Sequence, residues 1–507
     1  MKHLLRIAVF LILAVLLPLS VWSRPQESAS VSDSGAAPHR ASHTATASVP
    51  RVFAIPVSAK SPEARKLVEK ALDQYENVLL DDSVETARKA VEKDPQFALA
   101  YAVWSFAARR TQPAPEALRK AEEFAPAAPP EEQLLVNFLV SVQKEDMLPA
   151  IASMNDLLKR FPRNAHVLYL TSEWLYFQQD YDRSLKMMEE IVRIDPKFAP
   201  AFNMLGYGQV ESGNPDPVKA ITYLKRYAEL QPGQPNPEDS LGEVSRYVGD
   251  DASSIAHYTA ALKITPTFLT SQTGLGDTYT LMGRYPEARK AYDKAAAMAA
   301  SDRDRLHVLF QKTLALFWQG EREDGLRELD RLAAEAREVR EPYAEFEIEE
   351  GRALLTPDPA EQLVLLRALE ARFSVSLTGM SDSDRGPSLA SVWRDQVRIL
   401  AAQKQFDEAN LLVGKLEQLS AKSRDLIVED CYESARGYIL FAQGDFAAAQ
   451  GELSADPHSA LAAQWLIAAR EHIGDKKGAD AARLRLKYLR APTVEWYLAH
   501  HPQAQTN

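Results

Sequence analysis

Six prolines constrain this chain more than any other feature. Pro95, Pro126, Pro162, Pro196, Pro232 and Pro266 each follow a short run of apolar and charged residues, at spacings of 31, 36, 34, 36 and 34. A period near 34 is the mark left by stacked helix–turn–helix units. Proline lacks an N–H and has a fixed φ, so it ends a helix. Between these prolines apolar residues recur at three and four rather than at two, which predicts helices and not strands. Several ordinary domains would be the default for 507 residues. The period selects one small unit repeated many times instead. Glycine and proline together make only about a tenth of the chain and 46% of it is hydrophobic. That excludes collagen-like and disordered chains. The expected fold is all-α, an α-solenoid of about twelve antiparallel helix pairs between Ser61 and Arg490. A short capping helix is expected at Thr493–His500.

The unit becomes specific at Leu275–Gly276. Leu275, Gly276 and Tyr279 open a first helix, Gly283 and Tyr285 make a turn, and Ala288, Tyr292 and Ala295 run along a second helix. Gly276 and Ala288 let two backbones approach, and Leu275, Tyr279 and Tyr292 fill the space around that contact. This segment resembles a tetratricopeptide repeat. It departs from the pattern at Gln272, where the repeat has tryptophan, and at Ala300, where it has proline. Leu205, Gly206 and Ala220 form a partial match before Pro232, and Leu241, Gly242 and Ala261 another before Pro266. The match is strongest over about 160–300 and degenerates towards both ends. Gly206-x-Gly208 and Gly274-x-Gly276 fall inside first helices with no preceding strand. They predict close packing rather than a phosphate loop.

The resemblance implies a right-handed superhelix whose first helices line a concave face. The family's concave positions fall here on His166, Tyr169, Glu173, Tyr176 and Phe177, then on Asn203, Tyr207 and Glu211. They continue at Asp239, Glu243, Arg246 and Tyr247, and at Asp277. The set is aromatic and acidic, which suits an extended peptide that is apolar or basic. The competing reading is that these aromatics pack between neighbouring repeats. The family's lysine/asparagine clamp for a terminal carboxylate is not matched.

The N-terminus has the layout of an export signal. Lys2, His3 and Arg6 precede an unbroken apolar run from Ile7 to Leu17, then Pro18 and a cleavage site after Ser23. Eleven apolar residues fall short of the roughly 20 that span a bilayer. Residues 1–23 are expected to be a signal peptide, placing the chain in the periplasm or outside the cell. The alternative is an uncleaved inner-membrane anchor. Residues 24–58 are expected to be a flexible tether, with Val52–Val57 lying as an extended strip on the first helices. The array is expected at 59–372 and 388–507. An irregular loop at 373–387, too long and polar for a repeat turn, divides it.

Chemistry is sparse. A net charge of −11 argues against nucleic acid. The single cysteine, Cys431, excludes a disulfide scaffold. No GxxxxGK[ST], GxSxG or HExxH pattern occurs. Asp382-Ser383-Asp384-Arg385-Gly386 lacks the later ligands of a calcium loop, and adjacent His500 and His501 point apart on a helix. No cofactor and no metal are expected. The expected function is a non-catalytic scaffold that binds protein or peptide partners on the concave face. Membrane contact is expected only through an uncleaved N-terminal segment. The alternative is an accessory subunit or cryptic enzyme of the cell envelope, with its site at the 373–387 loop or in the groove.

Overall fold

The computed structural model describes residues 55–109, 114–144, 146–177, 180–211, 215–380, 382–423 and 425–501. The expected signal peptide and residues 24–54 of the expected tether lie outside the described residues. Twelve helix pairs follow one another. They are α1 (Pro62–Glu76) with α2 (Leu80–Lys93), α3 (Ala98–Ala108) with α4 (Pro115–Phe124), and α5 (Pro130–Gln143) with α6 (Met147–Arg160). Next come α7 (Ala165–Phe177) with α8 (Tyr181–Ile194), α9 (Ala199–Glu211) with α10 (Pro217–Leu230), and α11 (Pro235–Val248) with α12 (Asp251–Ile264). Then come α13 (Leu269–Leu281) with α14 (Tyr285–Met298), α15 (Asp302–Gln319) with α16 (Arg322–Val339), and α17 (Pro342–Leu355) with α18 (Pro359–Phe373). The last are α19 (Asp382–Ala402) with α20 (Phe406–Ser423), α21 (Leu426–Gln443) with α22 (Phe446–Leu453), and α23 (Ala460–His472) with α24 (Lys476–Tyr488). A single helix, α25 (Val494–His500), closes the series. The fold is an all-α solenoid.

The repeat-end prolines work through one recurring turn. Asp94-Pro95-Gln96-Phe97, Asp195-Pro196-Lys197-Phe198 and Thr265-Pro266-Thr267-Phe268 each leave a helix and enter the next. The Phe N–H donates to the carbonyl of the first residue, at 3.1, 3.0 and 3.0 Å. All three phenylalanines are buried. The turn therefore stops one helix and pins the start of the next into the core.

The paired glycines show how first helices pack. A methyl group at Gly206 would lie 2.5 Å from Leu224 Cγ on α10, and one at Gly208 2.6 Å from Leu185 Cδ2 on α8. Gly276 faces Tyr292 of α14 in the same way, and Gly274 faces Tyr258 of α12. Positions two apart on a helix point to nearly opposite sides. First helices α9 and α13 are therefore each sandwiched between the second helix of their own pair and that of the pair before. Leu205, Ala220, Leu241, Ala261, Leu275, Ala288, Tyr292 and Ala295 are buried around these contacts. Gly242 lies against Tyr258, and Tyr279 is half-buried.

The described residues form two compact units, one ending at Leu168 and the other beginning at Tyr169. The N-terminal unit begins its packing earlier than residue 59. Ile55 is 1% exposed. Ser58 gives its N–H and its hydroxyl to the buried Glu132 carboxylate, and Lys60 N–H donates to Asp94 Oδ2 at 2.7 Å. The last residues of the expected tether are thus tied down, because a buried apolar side chain and a desolvated carboxylate hold them.

In the C-terminal unit the expected division at 373–387 is different. Helix α19 already starts at Asp382 and includes Pro387. Phe373 and Met380, at either end of the intervening turn, are buried in a core that runs from Phe346 through Val397 and Leu416 to Leu466. Two apolar anchors make the segment a packed turn within one continuous array. The end of this unit also returns to its middle. Leu461, Tyr497 and Leu498 join the core of α15, α16 and α17, with the Tyr497 ring 5.3 Å from that of Trp318. Helix α24 lies against α9 and α11.

Candidate functional site

The concave positions form rows of side chains joined one repeat apart. The Tyr176 hydroxyl donates to Glu211. Tyr207 donates to Glu243 Oε2 at 2.8 Å, and Tyr247 to Glu243 Oε1 at 2.8 Å. Arg246 places Nη2 3.3 Å from Glu243 Oε1 and Nη1 3.2 Å from Asp277 Oδ2. Tyr292 donates to Asp277 Oδ1 at 2.8 Å, and Ser271 donates to Asp239. Neighbouring first helices α7, α9, α11 and α13 are stitched together by these bonds.

Burial sets the charge state of this row. It lifts Glu211 to about 8, with Glu243 adding to the rise and Arg485 opposing it. It lifts Asp239 to about 7, again helped by Glu243. Glu243 and Asp277 are also raised, chiefly by burial, with Arg246 pulling both down. Taking a carboxylate out of water favours its neutral form, and a nearby guanidinium restores the charged one.

The remaining positions are scattered. His166 belongs to the N-terminal unit, where its Nδ1 lies 2.7 Å from Oε1 of the buried Glu76. Tyr169 packs on Phe198, with ring centroids 5.5 Å apart. Phe177 meets Tyr176 edge-on at 5.7 Å. Glu173, Phe177 and Asn203 are half-buried. Tyr176, Tyr207, Glu243, Arg246 and Tyr247 are buried inside the C-terminal unit, and Glu211 beside them is half-buried. The aromatics brace neighbouring repeats.

Sequence reasoning missed what covers this face. Arg490 of the α24–α25 link forms a two-pronged pair with Asp251, Nη1 to Oδ1 at 2.6 Å and Nη2 to Oδ2 at 3.0 Å. The same Nη1 donates to the Arg246 carbonyl at 2.8 Å. His458 Nε2 lies 2.9 Å from the Tyr181 hydroxyl. These partners are 239, 244 and 277 residues apart, and no local pattern marks them. A second buried cluster was missed for the same reason. Arg394 reaches Glu495 at 2.8 Å and Asp456 at 3.6 Å, and Ser391 donates to Glu350. Burial raises Glu350 to about 8 and Asp456 to about 6. Cys431 sits in the apolar core, and burial pushes its thiol far up, away from the reactive thiolate. Among the described residues no group of three His, Cys, Asp or Glu is arranged to hold a metal. Among them, too, no helix is long and apolar enough to cross a membrane.

A tetratricopeptide-repeat family model matches residues 269–302, the α13–α14 pair. No curated protein sequence matches the chain. Among solved structures, a tetratricopeptide repeat protein from Parabacteroides merdae is 14% identical, covering 54% of this chain and 93% of that one, with a TM-score of 0.34. The type IV pilus biogenesis factor PilW is 19% identical over 39% of this chain and 89% of its own, with a TM-score of 0.34. YrrB, described as a TPR protein with an unusual peptide-binding site, is 19% identical over 44% of this chain and 97% of its own, with a TM-score of 0.28. Residues 269–302 thus form a tetratricopeptide repeat, and described helix pairs flank it on both sides.

Proposed function

We propose that this chain is an exported, non-catalytic scaffold that holds protein or peptide partners on the inner face of its repeat array. One observation carries the reading. A helical stretch of polypeptide, α24 of the same chain, already rests against first helices α9 and α11. The arginine that follows it, Arg490, is held by Asp251. An inner face that seats a piece of its own chain is a polypeptide-binding surface by construction. The pairing of its titratable groups with one another, one repeat apart, supports a bracing role over a reacting one. The basic start, apolar run and cleavage site at residues 1–23 support export.

The test has two arms. Affinity capture from the envelope fraction, followed by reconstitution from purified components, should give at least one partner that binds saturably at fixed stoichiometry. N-terminal sequencing of the captured chain should read from Arg24. A chain that no partner saturates, or that turns over a small molecule unaided, would overturn the scaffold reading. A chain starting at Met1 in the cytoplasm would overturn export.

A further inference from the structure

We infer that the seam between α24 and helices α9 and α11 is a separable clasp, and that the seat beneath it accepts an arginine-bearing helix from a partner protein. This deepens the scaffold reading and rests on it. The seat is made of Asp251 at the start of α12, the Arg246 carbonyl in the last turn of α11, Glu211 at the end of α9, and Tyr181. The occupant offers Arg485 and Arg490, while His458 of the α22–α23 link meets Tyr181 beside it.

Two features make the seam separable. First, it is polar. The buried residues of α24 are Ala479 and Ala482, and Arg485 and Arg490 are only half-buried. Ala482 packs in the core with Leu466 and Ala469 of α23, its own partner helix, and the other apolar attachment of this end is where Tyr497 and Leu498 enter the core of α15–α17. The unit can therefore open at α24 without exposing that core. Second, a solenoid is held mainly by contacts between neighbouring repeats. The repeats beneath the seam keep those contacts when α24 lifts.

The chemistry of the seat names its visitor. Asp251 takes a planar fork in two parallel hydrogen bonds, a geometry that guanidinium meets and ammonium does not. The Arg246 carbonyl is at the negative end of α11, which favours a cation. Glu211 lies within electrostatic reach of Arg485. A partner that replaces α24 must therefore bring a helix with an arginine just past its C-terminal end, as Arg490 stands just past α24.

The probe is a fluorescent synthetic peptide with the sequence of residues 474–493, titrated by anisotropy into the full-length chain. In the wild type the seat is covered, so binding is weak. Arg490→Glu breaks the clasp and leaves the seat, so the peptide should bind at least about tenfold more tightly. Adding Asp251→Asn should abolish that gain. Pairing Arg490→Glu with Asp251→Arg should close the seam again and return binding to the wild-type level. Equal binding to wild type and Arg490→Glu, binding to neither while the variant stays helical, or a gain that survives Asp251→Asn would overturn the clasp.

If Arg490→Glu does not fold, hydrogen exchange on the wild type decides. Amides of α24 should exchange faster than those of α13 and α14, and equal protection would overturn the proposal. A partner that saturates the wild type and is not displaced by the peptide leaves the scaffold standing without the clasp. Peptide binding by Arg490→Glu in a chain that no partner saturates leaves the clasp standing without the scaffold.

Discussion

At Gly276 the missing side chain is the structure's own requirement. Tyr292 fills the space a methyl group would need, at 2.5 Å, and cannot retreat because its hydroxyl is bonded to Asp277. Gly276→Ala should therefore lower unfolding free energy by about 1–3 kcal/mol, read by urea denaturation. Gly414 is the counter-case. It lies mid-helix in α20 with nothing within 4 Å of its missing methyl group. Gly414→Ala should raise stability by about 0.5–1 kcal/mol in the same assay. Arg246 is a third kind of residue. Arg246→Met leaves Glu243 and Asp277 buried without their cation. The loss should be about 3–5 kcal/mol near neutral pH and smaller in mild acid, where both carboxylates can take protons. The identity of these positions was legible in the sequence. The partners of Arg246 were not, because a hydrogen bond to the next repeat depends on how two helices are set against each other.

At the scale of the helix, local chemistry carries most of the design. Asp180, Asp216, Asp250, Asp445 and Asp475 each accept a backbone N–H at the start of a second helix. A cap satisfies a donor that the helix cannot, and the Ser253 hydrogen bonds hold the Asp250 carboxyl below its usual range. Asp250→Ala should lower stability by about 1 kcal/mol, seen as a lower urea midpoint with an unchanged slope. Caps, prolines and apolar periodicity are properties of a few adjacent residues, so the helix pairs could be read directly. The errors fell where a segment is held by distant side chains. Ile55–Ser58 read as the end of a tether, yet Ile55 is buried and Glu132 holds Ser58. Residues 382–387 read as loop, yet the core that buries Phe373 and Met380 lets α19 begin there.

At the scale of the molecule, the C-terminal unit buries carboxylates that prefer to be neutral. Burial raises Glu211 and Glu350 to about 8, Asp239 to about 7 and Asp456 to about 6. A carboxyl raised on folding stabilises the fold fully below its unfolded value, near 4, and that stability is lost as pH rises through the folded value. His458 has the opposite sense. Burial lowers it to about 3, so its contribution is full above about 6.5 and fades as pH falls. Four carboxyl groups outweigh one imidazole. The Tm of the chain should be highest near pH 4 and decline steadily from there to about pH 8, measured by calorimetry. A Tm that rises between pH 6 and 9 would contradict this account of the buried row.

The amino-acid sequence by itself determined the unit: two helices, a glycine-permitted contact in the central repeats, a proline just past many second helices, and about twelve copies. Each of those depends on residues within one period, where backbone sterics and apolar spacing leave few alternatives. It also placed the aromatic and acidic row on the first helices. Only the tertiary structure decided that this row is covered. The array brings Arg490, near the end of the C-terminal unit, to Asp251 in its middle, across 239 residues. No single repeat carries that contact, so a face that reads as an open groove in each repeat is closed in the whole.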